Sequence, residues 1–92
     1  MLNHYVLMIN PRGEMASNET IEGALYQVAK DWLRFARGQY LIAAEGGPEP
    51  IFEAVRKSIK LNDDVVVIEI NLSNRMGWAS NLAINWIKKY AP

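Results

Sequence analysis

The run Asp63-Asp64-Val65-Val66-Val67-Ile68-Glu69-Ile70 constrains the fold more than any other part of the chain. A short aliphatic block led by two acids is too brief for a helix. Its β-branched content fits a strand buried on both faces. A polar loop and Gly77-Trp78 follow, and then a segment in which Leu82, Trp86 and Tyr90 recur every fourth residue. That spacing places them on one helical face, so the tail predicts an amphipathic helix laid on a small sheet. Ser80 or Ala79 opens this helix and Pro92 closes it. Gly77 and Trp78 fix the approach to it, with Trp78 as a packing anchor.

The earlier elements follow from the same periodicities. Tyr5 to Ile9 is apolar throughout and stops at Asn10-Pro11-Arg12-Gly13, a turn sequence, which defines a first strand. Ile21, Leu25, Val28 and Trp32 lie on one helical face, and Asn18 or Thr20 suits its N-cap. Phe35 continues that stripe, so periodicity favours a helix running on to a stop at Arg37-Gly38. The competing reading ends the helix near Lys30-Asp31 and makes Trp32 to Ala36 a strand, turned at Arg37-Gly38 into Gln39 to Ala44. Glu45-Gly46-Gly47-Pro48 breaks the chain, and a second helix carries Ile51, Phe52, Val55 and Ile59 inward.

At 92 residues the chain makes one domain over residues 1–92, burying roughly 60–65 % of its unfolded surface. Ten basic and ten acidic side chains cancel, so no long-range field draws in nucleic acid or an anionic membrane. With no cysteine, disulfides, thiolate metal sites and cysteine nucleophiles are excluded. The N-terminus lacks the basic and long apolar regions of a signal peptide, and no apolar run reaches the roughly 18 residues of a membrane span. The expectation is a cytoplasmic protein with no membrane association.

Alternation in the strands bears on assembly. Tyr5, Leu7 and Ile9 point one way and Val6 and Met8 the other, as Val65 and Val67 oppose Val66 and Ile68. Both sheet faces are therefore apolar. Two helices cover one face, and the other needs the C-terminal helix or a second copy of the chain. The expectation is a homodimer with the C-terminal helix contributing.

With the element order in place, the chain resembles the Cas2-like superfamily of ferredoxin-like domains, and within it the small SinR-like, Cas2-related bacterial proteins. The resemblance runs through Tyr5-Val6-Leu7-Met8-Ile9-Asn10, Ala24-Leu25-Tyr26, Trp32 to Ile42, Pro50 to Lys60, Asn62-Asp63-Asp64 to Ile70, Gly77-Trp78 and Trp86-Ile87-Lys88-Lys89. It spans nearly the whole chain, chiefly through core aliphatics. It implies an α+β fold, a ferredoxin-like βαββαβ sandwich with an added C-terminal helix, in which Trp32 to Ala36 is a strand. It also implies homodimerisation. In Cas2-type nucleases an Asp ends the first strand and holds a divalent ion; here that place is taken by Asn10, a neutral amide that ligates hard cations weakly. A metal-dependent nuclease is disfavoured, and no cofactor is expected.

The remaining chemistry is sparse. Asp63 and Asp64, as neighbours entering a strand, point to opposite faces and read as a solvated turn. Glu69 interrupts the aliphatic block, so it faces an edge, an interface, or a base such as Arg12 or Arg75. His4, alone of its kind, starts a strand and builds neither a triad nor a metal site. Gly46-Gly47-Pro48 is flanked by acids and reads as a turn. The candidate binding residues are Arg34, Arg37 and Tyr40, where arginines interleave with aromatics in a composition suited to stacking on bases and gripping phosphates, with Asn10 and Arg12. In the blander reading those aromatics are core and the arginines snorkel. The expected role is a non-catalytic homodimeric binding or regulatory module whose partner the sequence does not identify, the neutral charge tilting it towards a protein. The alternatives are a nucleic-acid binder using a local basic patch around Arg34 and Arg37, or a weak nuclease relying on Glu69 or Asp31.

Overall fold

A computed structural model describes residues 1–60 and 62–92. It contains β1 (Leu2–Asn10), α1 (Asn18–Val28), β2 (Asp31–Ala36), β3 (Gln39–Glu45), α2 (Glu49–Arg56), β4 (Asp64–Ile70) and α3 (Asn81–Tyr90). The four strands form one antiparallel sheet in the order β2-β3-β1-β4. β1 is central, with Val6 opposite Leu41 of β3 on one side and Ile68 of β4 on the other.

The ambiguity after α1 resolves in favour of a strand. Residues 31–36 pair with β3 from Asp31↔Ala43 to Ala36↔Gln39, against the longer helix that periodicity favoured. Local spacing cannot register this, because the backbone hydrogen bonds that a hairpin gains lie across the turn. That turn sits at Gly38, whose φ of 76° suits glycine alone, and Gly38 O accepts from Ile9 N at 2.8 Å. α1 begins one residue earlier than Asn18 as cap would require and three earlier than Thr20 would: the Ser17 hydroxyl accepts from Thr20 N at 3.1 Å. At α3 the Ser80 hydroxyl caps Ala83 N at 3.2 Å.

The helices divide unequally between the faces. α1 and α2 bury Ile21, Leu25, Ile51 and Val55 against Tyr5, Leu7, Ile9, Tyr40 and Ile42. On the opposite face α3 buries Ala83 and Trp86 against Leu33, Ala43 and Leu72. That second cluster covers only part of the face. Met8 of β1, Phe35 of β2, and Val66 and Ile68 of β4 remain exposed, the last two at 44 % and 47 %.

Three expectations are corrected here. The Val65–Ile68 block is not buried on both faces: β4 is an edge strand, packed through Val65 and Val67 against the core beside α2 and bare on the other side. Trp78 does not anchor α3, because it is fully exposed. Leu82 does not share the buried stripe of Trp86; Ala83 takes that place and Leu82 faces outward. The change at Leu82 follows from where Ser80 starts the helix, which turns Ala83 and Trp86 to the sheet at a spacing of three.

Candidate functional site

The candidate binding residues fall into two groups. Asn10 and Arg12 lie at the end of β1, beside the start of β4. Asn10 pairs with Asp64 in the β-ladder, and its side-chain amide donates to Asp64 Oδ2 at 3.2 Å. Arg12 Nη2 donates to Asp64 Oδ1 at 3.1 Å, and Arg12 N to Asp63 Oδ1 at 2.9 Å. The two acids therefore both hold the turn after β1, whereas alternation alone sent them to opposite faces. Asp63 escapes it because the strand begins only at Asp64. Hydrogen bonds from Asn10, and then from Arg12 with its charge, hold the Asp64 carboxyl below the usual carboxylate range. The β2–β3 turn at Arg37 and Gly38 reaches the same end of the sheet through the Ile9–Gly38 bond, and Arg37 is exposed there.

Arg34 and Tyr40 form the second group, on the α1 side. Both converge on Glu22 of α1: Arg34 Nη1 donates to Oε2 at 3.0 Å and the Tyr40 hydroxyl to the same oxygen at 2.9 Å. Tyr40 is buried, and burial, then the bond to Glu22, pushes its hydroxyl well above the ordinary phenolic range. Its ring meets Trp32 edge-on at 6.1 Å, and Trp32 meets Tyr26 edge-on at 5.7 Å. The aromatic file runs from buried Tyr40 to exposed Tyr26, and its arginine is paired with Glu22. Of the arginines proposed to grip phosphate, Arg34 is held by Glu22 and Arg37 is exposed; Arg12, the other candidate binding arginine, is held by Asp64.

The acids named for a nuclease do not come together. Asp31 begins one edge strand and Glu69 lies near the end of the other. Asp31 accepts from Tyr90 at 2.5 Å, Lys89 Nζ at 3.2 Å and Trp32 N at 2.9 Å. Glu69 is exposed on edge strand β4, opposite Tyr5. The bases suggested for it point elsewhere, Arg12 to Asp64 and Arg75 to the Leu72 carbonyl. Among the described residues, no three His, Cys, Asp or Glu side chains gather closely enough to hold a metal ion. His4, at the start of β1, packs between α3 aromatics, 5.2 Å from Tyr90 and 6.5 Å from Trp86.

Sequence reasoning expected a second face in need of cover, but missed the groove on it and the part Phe35 plays there. Beside α3, the side chains of Val6, Met8, Phe35, Leu41 and Ile87 line an apolar groove of ≈ 310 Å³. Alternation marked Val6 and Met8 as facing the second side. Phe35 gave no such signal, because the helical reading assigned it to another face. No helix among the described residues is long and apolar enough to cross a membrane.

No protein-family model, curated protein or solved structure matches the chain.

Proposed function

We propose that this chain is a Cas2-like, ferredoxin-like domain that works as a non-catalytic homodimeric binding or regulatory module. The observation carrying this reading is the half-covered sheet. α3 shields the region around Leu33 and Ala43, and Met8, Phe35, Val66 and Ile68 stay in water beside it. An apolar face of this kind costs free energy in a monomer and marks an interaction surface. The order of elements, β-α-β-β-α-β and a final helix, together with the strand order β2-β3-β1-β4, supports the ferredoxin-like assignment.

Asp31 and Glu69, the acids a nuclease would draw on, lie on opposite edge strands, and Asp31 is engaged by Tyr90 and Lys89, which supports a binding role. Asn10 at the end of β1 is hydrogen-bonded to Asp64, so the position is used to lock two strands. The zero net charge, with Arg12 and Arg34 paired internally, favours a protein partner over a polyanion.

Light scattering and sedimentation of the purified chain test the reading, with oligonucleotide assays in magnesium and manganese alongside. A dimer with neither cleavage nor a salt-dependent oligonucleotide shift is expected. Metal-dependent cleavage lost on Glu69→Gln would establish the nuclease instead. A shift abolished by Arg34→Ala with Arg37→Ala would establish nucleic-acid binding.

A further inference from the structure

Two exposed apolar features of the chain complement each other. One is the groove beside α3, floored by Val6, Met8 and Leu41 and walled by Phe35 and Ile87. The other is the loop between β4 and α3, where Met76 and Trp78 are both fully exposed and Leu82 continues the apolar surface onto α3 at 69 %. A bare indole leaves on the order of 200 Å² of largely apolar surface in water. Nothing among the described residues covers it.

The backbone holds the loop in this outward form. Gly77 has a φ of 156°, a setting that side-chain-bearing residues rarely adopt, yet nothing lies within 4 Å of where a Cβ would sit. Glycine is needed there for the direction of the chain rather than for space. Trp78 follows directly, two residues before the Ser80 cap of a helix that lies on the same face as the groove.

We infer that two copies of the chain pair through this face, with Trp78 of each copy seated in the groove of the other. The inference rests on the homodimer reading and names the contact that makes it. The occupant is a second copy because one chain carries both an exposed apolar knob and an apolar socket, so a two-fold axis satisfies both at once and closes the assembly. Zero net charge places no overall repulsion between the copies. A stable interface needs about 800 Å² per partner, of which Trp78 and the half-exposed Phe35 supply on the order of 300 Å². Met8, Val66, Ile68, Met76 and Leu82 are the apolar neighbours that extend it. A central tryptophan entering an apolar socket is the usual form of an interface hot spot.

Sedimentation of wild type, Trp78→Ala and Met8→Glu tests this, with thermal unfolding to verify each fold. Incorporated 5-fluorotryptophan reports on Trp32, Trp78 and Trp86 separately. The expected result is a wild-type dimer in which dilution moves chiefly the Trp78 fluorine line. Trp78→Ala and Met8→Glu each weaken dimerisation roughly 30-fold or more. Both sites are exposed in the single chain, so the melting of the monomer stays near that of wild type. A dimer of unchanged strength in folded Trp78→Ala overturns the contact and leaves the homodimer standing. Loss of dimer in Trp78→Ala but not in Met8→Glu places the indole outside the groove and overturns the contact too. A wild-type monomer at every concentration overturns both.

Discussion

The hydroxyl of Tyr90 donates to the carboxylate of Asp31 over 2.5 Å, joining the last turn of α3 to the first residue of edge strand β2. Lys89 Nζ reaches the same oxygen at 3.2 Å. Burial alone would raise the Asp31 carboxyl, but the bonds from Tyr90 and Lys89 outweigh it and hold the group below its ordinary value of 3.8. Burial and the bond to Asp31 push the Tyr90 hydroxyl from 10.0 up to about 12. A lowered carboxyl contributes stability that is present above 3.8 and lost as pH falls through the lower folded value. A raised phenol contributes stability that is present below 10.0 and lost as pH rises towards 12. The docking of α3 should therefore weaken at both extremes. Tyr90→Phe removes one charge-assisted hydrogen bond and should cost about 1–2 kcal/mol at neutral pH, measured by denaturant unfolding, and it should flatten the alkaline limb of the profile.

Gly38 and Gly23 predict opposite responses to the same change. A Cβ at Gly38 would meet the Ile9 carbonyl at 2.9 Å and the Met15 methyl at 2.8 Å, on a backbone with φ of 76°. Gly38→Ala should lose roughly 1–3 kcal/mol. Gly23, inside α1, has nothing within 4 Å of the added carbon, so Gly23→Ala should gain about 0.5–1 kcal/mol. Urea midpoints of the two variants on opposite sides of wild type would bear this out.

Tyr40 and Arg34 share one oxygen of Glu22, so the pair separates packing from recognition. Tyr40→Phe leaves Glu22 with its arginine partner and should cost about 1 kcal/mol. Arg34→Ala acts at a more exposed bond, so its stability change should be smaller, and binding to any oligonucleotide should not change. Calorimetry and an electrophoretic shift assay distinguish these outcomes.

Asn10→Asp sets a second carboxylate against Asp64, where an amide now donates at 3.2 Å. The variant should lose stability at neutral pH, because a hydrogen bond becomes a like-charge contact. It should regain stability when acid protonates the pair. Unfolding midpoints across the acid range, with and without magnesium, measure the effect and show whether a cation substitutes for the lost proton donor.

The fold was readable in the sequence wherever a single element carried the signal. The aliphatic runs of β1 and β4, the Gly-Pro break before α2 and the serine before α3 each mark local structure by their own chemistry. The end of α1 was not readable from spacing, since Phe35 fits a helical stripe as well as a strand and only pairing with β3 decides between them. Edge position was equally hidden. Val65 to Ile68 looks the same in composition whether one side of the strand is bare or covered, and only the strand order reveals the bare side. For the site, residue types named Arg34 and Tyr40 as a pair, but Glu22, the acid that joins them, carried no signal because it lies in a different element. Trp78 was misassigned because a tryptophan before a helix more often packs inward, and its direction is set by the Gly77 backbone.

The most direct test of the paired-sheet account is the solution mass of the purified chain by sedimentation equilibrium across a wide concentration range. The account predicts a species of twice the 10.4 kDa chain that dissociates on dilution and is lost in Met8→Glu. A single species of 10.4 kDa at every concentration, with the Met8 face still in water, would contradict it.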